Sequence, residues 1–294
     1  TDEIAKQFVG RGVVFLRQEP RNGKTTALNL AVSQAHGEII VFADANSFYD
    51  RAAIRDLVAN FGDPAVGYVT GTLAYLGSDG SMTAGGCSVY MKYENFILRC
   101  ETLVGSVVGV NGGIDAVRHS LYRPMNADDL PDFVLPLHVV KQGCRVVYEP
   151  GAILAETALG TPRDEYRMRV RVALRALWTL AEMAGLLNVC RHGLYSVQLL
   201  SHKVLRYLAF VFVLLLYGSS LFLWNAGTFY RFALLFQTLG IASALVGFWA
   251  AQQGASSRVL ILPYYFALVN FAAFHASLKF LKRERPRVWA PRLG

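Results

Sequence analysis

Glu38-Ile39-Ile40-Val41-Phe42-Ala43-Asp44-Ala45-Asn46-Ser47 is the stretch on which the fold is decided. Its first six residues form a near-continuous apolar run, short and rich in β-formers, which suits a strand buried on both faces. The run stops at Asp44-Ala45-Asn46, where two side-chain oxygens two residues apart in a turn can face one point. Such donors suit Mg2+ or Mn2+, with phosphate oxygens completing the shell. An Asx turn after a strand uses the same residues, so the motif alone is weak. Upstream, Val13–Leu16 reads as a strand and Thr25–Gln34 as a helix. Downstream, Ala52–Asn60 reads as a helix, Val66–Tyr75 as a strand, Phe133–Lys141 as a helix and Arg145–Tyr148 as a strand. This alternation predicts an α/β layered domain over residues 1–160, with its site at the carboxyl ends of the strands.

The composition is that of an ordered, partly apolar chain. Of 294 residues, 53% are hydrophobic and 17% charged, which excludes disorder. The net charge of +8 invites a nucleic-acid reading until it is partitioned. Residues 1–182 hold 18 Lys and Arg against 20 Asp and Glu, whereas residues 183–294 hold 11 against one, Glu284. The excess belongs to the most apolar part, so no nucleic-acid partner is expected. Cys87, Cys100, Cys144 and Cys190 are too far apart for a zinc site or a disulfide framework, and reduced thiols are the expectation.

From Tyr207 to Leu278 only Arg231 and Arg258 are charged. Three apolar runs, Tyr207–Trp224, Arg231–Ala250 and Val259–Leu278, each have about the 17–25 residues that cross a bilayer as a helix. The segment 207–294 is therefore expected to be transmembrane helices and a basic tail. Residues 161–206 are expected to form amphipathic interfacial helices, Asp164–Leu187 and Gly193–Arg206. One tension results: three crossings would put the tail opposite the first domain. Yet Lys279, Lys282, Arg283, Arg285, Arg287 and Arg292 hold a tail on the cytoplasmic side.

Three further segments could carry chemistry. Asp128, Asp129 and Asp132 precede the helix pattern at Phe133; Asp129 as N-cap and Pro131 in the first turn account for part of this, and a carboxylate so placed can act as a general base. Arg21-Asn22-Gly23-Lys24-Thr25-Thr26 looks like the end of a phosphate loop, but Gln18 stands where its first glycine belongs, so a nucleotide-hydrolysing loop is rejected. Lys24 at a helix start can still meet an anion. The basic run from Arg163 through Arg167, Arg169, Arg171 and Arg175 can clamp a diphosphate or face lipid headgroups.

In this order, the segments resemble the family-2 glycosyltransferases of membrane-bound polysaccharide synthases, of the cellulose, hyaluronan and poly-N-acetylglucosamine synthase type. Gly23-Lys24-Thr25-Thr26-Ala27-Leu28-Asn29 is similar to the family's G-K-x-x-A-L-N segment against the nucleotide, and Asp44-Ala45-Asn46 to its D-x-D metal motif. Gly112-Gly113-Ile114-Asp115-Ala116-Val117-Arg118 is similar to the acceptor-side G-x-x-x-A-x-R loop. Asp132 stands 11 residues before Gly143, at the spacing of the family's catalytic aspartate. The resemblance implies a GT-A-like (Rossmann-like) domain and inverting glycosyl transfer from a nucleotide-diphosphate sugar, a UDP-sugar first of all. Asp132 would be the base, Lys24, Asp44 and Arg171 the donor and diphosphate ligands, and Asp44 and Asn46 the holders of Mg2+ or Mn2+. Gly112, Gly113 and Arg118 would lie on the acceptor side, and the acceptor would be a saccharide or lipid-linked molecule at the cytoplasmic face of the inner membrane. A non-catalytic membrane assembly subunit that keeps the domain for binding is the alternative.

Met168 and Val172 replace the Gln and Trp of the family's Q-x-x-R-W motif, which favours single-sugar transfer over processive synthesis. The family also carries two strands and an acidic base-binding loop ahead of the segment that opens here at Thr1. The resemblance therefore implies a chain short at its N-terminus that alone binds donor poorly and turns over little.

Overall fold

The computed structural model describes residues 2–76, 86–157, 162–253 and 259–285; Arg258, Arg287 and Arg292 lie outside them. At its centre is a mixed sheet of β1 (Ile39–Ala43), β2 (Ser47–Tyr49), β3 (Val66–Leu76), β4 (Ile114–Arg118) and β5 (Arg145–Thr157), in the order β1-β4-β3-β5-β2. β3 and β5 are parallel, and the other pairings are antiparallel. Helices cover both faces, as the alternation predicts. On one face Tyr68, Val117 and Val146 pack against Val32 of α2 (Lys24–Ser33), Leu98 of α4 (Gly86–Val104) and Val134, Leu135 and Val139 of α5 (Pro131–Lys141). On the other, Val69, Ala116 and Val147 meet Ala53 and Leu57 of α3 (Ala53–Ala59). β1 sends Ile40 and Phe42 to the first cluster and Ile39 and Val41 to the second, so its apolar run does serve two faces. As an edge strand it is only half-buried, less covered than the run predicts.

The sheet departs from the sequence reading in three places. Val13–Leu16 forms no strand; Val14 is 73% exposed, and four apolar residues without a ladder partner do not make one. β5 continues past Tyr148, where the sequence reading ends the strand, to Thr157, with Glu149-Pro150-Gly151 absorbed by a register shift opposite Thr70 and Thr72. β4, read as part of a loop, is an interior strand whose Asp115 and Arg118 hide an otherwise apolar five-residue run.

Beyond the sheet, α6 (Pro162–Glu182) is followed by a short turn, α7 (Val189–His192) and α8 (Leu194–Leu199). A π-turn over Leu200–Val204 then leads through α9 (Leu205–Tyr207) to α10 (Ala209–Phe222), with a 62° bend at the junction. α11 (Thr228–Gln252) and α12 (Ile261–Leu281) are long and apolar enough to cross a membrane. α10 has 14 residues, about 21 Å of helix, short of the roughly 30 Å hydrocarbon core. It completes a third span only if joined to the bent segment before it.

Two contacts join the regions. α5 is buried nearly all round: Phe133 and Leu137, turned away from the sheet, pack against Ala176 and Leu180 of α6 and Tyr195 and Leu199 of α8. α12 lies along α6, with Ala272 and Ala276 against Val170, Ala173 and Leu174 and a 2.8 Å hydrogen bond between the Tyr166 hydroxyl and His275 Nδ1. Past its end, Arg285 lies over the Trp178 ring at 3.8 Å and pairs with Glu182 at 2.9 Å and Asp128 at 3.2 Å. The basic tail thus begins against the α/β domain. α6, α10, α11 and α12 enclose an apolar groove of about 830 Å³, with Arg163, Tyr166 and Asn270 among its few polar walls.

Candidate active site

The site forms where β1 ends and two helices begin. Gly23 precedes α2 with φ 97°, a conformation that costs glycine little, and Lys24 opens the helix. Lys24 Nζ reaches across to Asp44, just past β1, at 2.6 Å from Oδ1 and 2.9 Å from Oδ2. Pro131 occupies the first position of α5, where its missing N–H costs nothing, and Asp132 follows in the first turn. Lys24, Asp44, Tyr68, Gly113, Asp115 and Asp132 line one narrow cleft.

Charge in the cleft is shared. Burial is the largest influence on Asp132 and pushes its carboxyl above the ordinary range; Lys24 pulls it back and Asp44 adds to the rise. Asp115, 2% exposed, is held well above that range by burial first and then by the neighbouring Asp132. Burial lowers Lys24, but Asp132, Asp44 and Asp115 outweigh it and hold the ammonium above its usual value. Two buried carboxylates beside one lysine cannot both carry full charge cheaply, so the cleft favours an arriving cation or a shared proton.

The walls are fixed by short, specific contacts. A Cβ on Gly112 would come within 2.6 Å of Asp132 Cγ, so no other residue leaves the carboxylate where it is. Gly113 has φ 84°, and its carbonyl and that of Phe42 both accept from the Tyr49 hydroxyl, at 2.6 and 2.7 Å, tying the end of β1 to the start of β4. Asn29 of α2 holds the loop before α5: its Nδ2 donates to Met125 O at 2.8 Å, and its Oδ1 accepts from Met125 N and the Tyr122 hydroxyl.

The three acids before α5 have three fates. Asp132 enters the cleft, and Asp128 pairs with Arg285. Asp129 is not the N-cap, which is Leu130; its carboxylate accepts from Asn126 N at 2.7 Å and closes the preceding turn. Asn46 is exposed in the turn after Asp44, so these two can offer oxygens to a divalent cation; among the described residues no cluster of three His, Cys, Asp or Glu does so. Hard oxygen donors beside a diphosphate fit Mg2+ or Mn2+.

Two sequence candidates lie elsewhere. Arg118 closes β4 at the opposite end of the strand from the cleft, where it donates to the carbonyls of Val66, Phe61 and Asp63 at 2.7–3.1 Å. Arg171 is half-buried on α6, one turn before Arg175, and does not line the cleft. Conversely, Asp115 went unread although it lies inside a quoted motif; an acid in the middle of Ile114–Val117 was the available signal.

Residues 1–105 match the family described as Glycosyl transferase family 2. Poly-β-1,6-N-acetyl-D-glucosamine synthase of Staphylococcus aureus, in strains COL and MSSA476, is 26% identical over 165 residues. That match covers 54% of this chain, which spans 40% of the length of those relatives. Among solved structures, the mannosyltransferase PcManGT from Pyrobaculum calidifontis in complex with GDP-Man and Mn2+ superposes with a TM-score of 0.60 at 18% identity, over 97% of this chain and 75% of that one. The likeness shows a shared GT-A fold.

Proposed function

We propose that this chain is a family-2 glycosyltransferase that carries out inverting glycosyl transfer from a nucleotide-diphosphate sugar to a saccharide or lipid-linked acceptor at the cytoplasmic face of a membrane. The convergence of Lys24, Asp44 and Asp132 on one cleft, from three separate elements, carries this reading. Asp132 takes the proton of the acceptor hydroxyl, which enters beside Gly112 and Gly113 and attacks the anomeric carbon from the face opposite the leaving diphosphate. Lys24 sits at the helix start where backbone N–H groups favour an anion, and receives that diphosphate. Asp44 and Asn46 would hold Mg2+ or Mn2+, which when bound neutralises charge on the leaving group. Arg171 is assigned to the diphosphate from its motif position alone. A UDP-sugar is the first donor to try, since the S. aureus relatives are named for an N-acetylglucosamine polymer. The apolar groove among the membrane helices supports a lipid-linked acceptor over a free sugar.

The chain is read as three parts: the GT-A-like domain over 1–160, the interfacial helices over 161–206, and the membrane helices and basic tail over 207–294. Arg285 against Asp128 puts the end of α12 on the side of the catalytic domain, which supports an even number of crossings and a cytoplasmic tail.

The test is Asp132→Asn in the full-length protein in proteoliposomes, with UDP-N-acetylglucosamine as probe. Transfer is expected to fall by about 10²–10⁴-fold while donor binding persists. Retained transfer would overturn the role of Asp132. The scaffold alternative predicts no transfer by the wild type and an unimpaired assembly role for the variant.

A further inference from the structure

A second charged cluster lies outside the cleft and takes no part in the chemistry above. Glu94 and Glu101 stand two turns apart on α4, both buried. Against them the π-turn and α9 bring His202, Lys203 and Arg206. His202 Nδ1 lies 2.7 Å from Glu101 Oε1 and its Nε2 3.2 Å from Glu94 Oε1; Lys203 Nζ is 3.4 Å from Glu94 Oε1, and Arg206 Nη1 is 2.8 Å from Glu94 Oε2. Buried ion clusters of this kind seldom stabilise more than apolar residues of the same shape would. What they supply is a fixed geometry, and π-turns often mark places where a fixed geometry matters.

The cluster reaches the cleft through a short strip of chain. Glu101 Oε2 accepts from Val108 N at 3.1 Å. At Gly109 a Cβ would stand 2.6 Å from Lys203 Cε and Nζ, so the lysine lies directly on the backbone there. Asn111 is held by Thr70, Gly71 and Asn95, the last adjacent to Glu94. Gly112 then touches Asp132. Lys203 Nζ also lies 6.0 Å from the Phe133 ring, next to Asp132 on α5. From the other end, the π-turn runs into the 62° bend that begins α10.

We propose that Lys203, seated by Glu94 and the His202–Glu101 pair, is a positioning residue for glycosyl transfer: it presses the strip Val108–Gly112 into the place that aims Asp132, and so ties the reaction to the seating of the membrane-proximal helix. The proposal rests on the reading of Asp132 as the base. It differs from a purely structural role in what it predicts for kinetics, because the donor-side groups Lys24 and Asp44 are not touched.

The experiment compares Lys203→Ala, Gly109→Ala and the double variant in the full-length protein in proteoliposomes, with UDP-N-acetylglucosamine as probe and Asp132→Asn as reference. Lys203→Ala is expected to lower kcat by about tenfold to a hundredfold, the scale of a small misplacement of a reacting group, with donor KM within about twofold of wild type. Gly109→Ala, which displaces the lysine end, is expected to lower kcat several-fold, about a factor of three to ten. Once Lys203 is gone the added methyl meets nothing, so the double variant should be no slower than Lys203→Ala alone. Unchanged kcat in both single variants, losses that multiply in the double variant, or a raised donor KM with intact kcat would each overturn the proposal. Should Lys203→Ala not be recovered folded, the kcat of Gly109→Ala decides. Full activity in Asp132→Asn would instead overturn the underlying reading of the base.

Discussion

Single residues decide how the cleft behaves with pH. Asp132 and Asp115 stand above the usual carboxylate range because both are buried, and Asp115 has Asp132 as its next largest influence. A base with a raised pKa loses its reactive form early as pH falls, so the acid limb of kcat/KM should lie above the ordinary aspartate value of about 3.9. Asp115 is the more strongly raised of the two and stays protonated where Asp132 titrates, so Asp115→Asn removes no charge there and the limb should stay where it is. A pH–rate profile of the two proteins measures this, and a limb displaced to lower pH would show that Asp115 carries charge beside Asp132. Lys24 and Asp44 stand out in sequence by local pattern, a glycine before a helix and the end of an apolar run, whereas Asp132 is separated from Asp128 and Asp129 only by its family-like spacing to Gly143. Asp115 does not stand out, since its significance comes from Asp132, 17 positions away in a different element.

Among elements, α5 carries the most consequence. Its first turn presents Asp132, and its body is shared between two cores. Leu137, fully buried between α5, α6 and α8, tests that sharing: Leu137→Ala should destabilise by about 2–5 kcal/mol, read as a lowered thermal midpoint, with transfer lost as the helix loosens. Periodicity found α2, α3 and α5 within a few residues of their ends because their apolar spacing is helical. It missed β4 because two charged residues in a five-residue strand erase the apolar signal, and their partners are distant in sequence: Thr70 for Asp115, and Phe61, Asp63 and Val66 for Arg118. It placed a strand at Val13–Leu16 because four apolar residues satisfy the local rule, whereas a strand also needs a neighbour. The 19-residue α4 went unread, as did Glu94 and Glu101, whose partners lie about a hundred residues downstream.

At the scale of the whole molecule, the charge partitions into a slightly acidic first part and a basic, apolar remainder, and the end of α12 lies against the α/β domain through Arg285. The membrane count read from length alone was three; α10 is too short to cross unaided, and the return of Arg285 to Asp128 favours an even count. A single cysteine placed at position 285 in a background without the native cysteines should be labelled by a membrane-impermeant maleimide only after the cytoplasmic face is opened. Labelling in intact cells would place the tail on the far side.

The burial of α5 also bears on how the protein can be divided. Phe133 and Leu137 look away from the sheet, and Ala176 and Leu180 of α6, Leu186, and Tyr195 and Leu199 of α8 help shield them from water. An α/β domain severed at Thr157 would therefore expose an apolar flank of the helix that carries Asp132. α6 and α8 are its fourth wall, and detaching them opens the side of the cleft that holds Asp132.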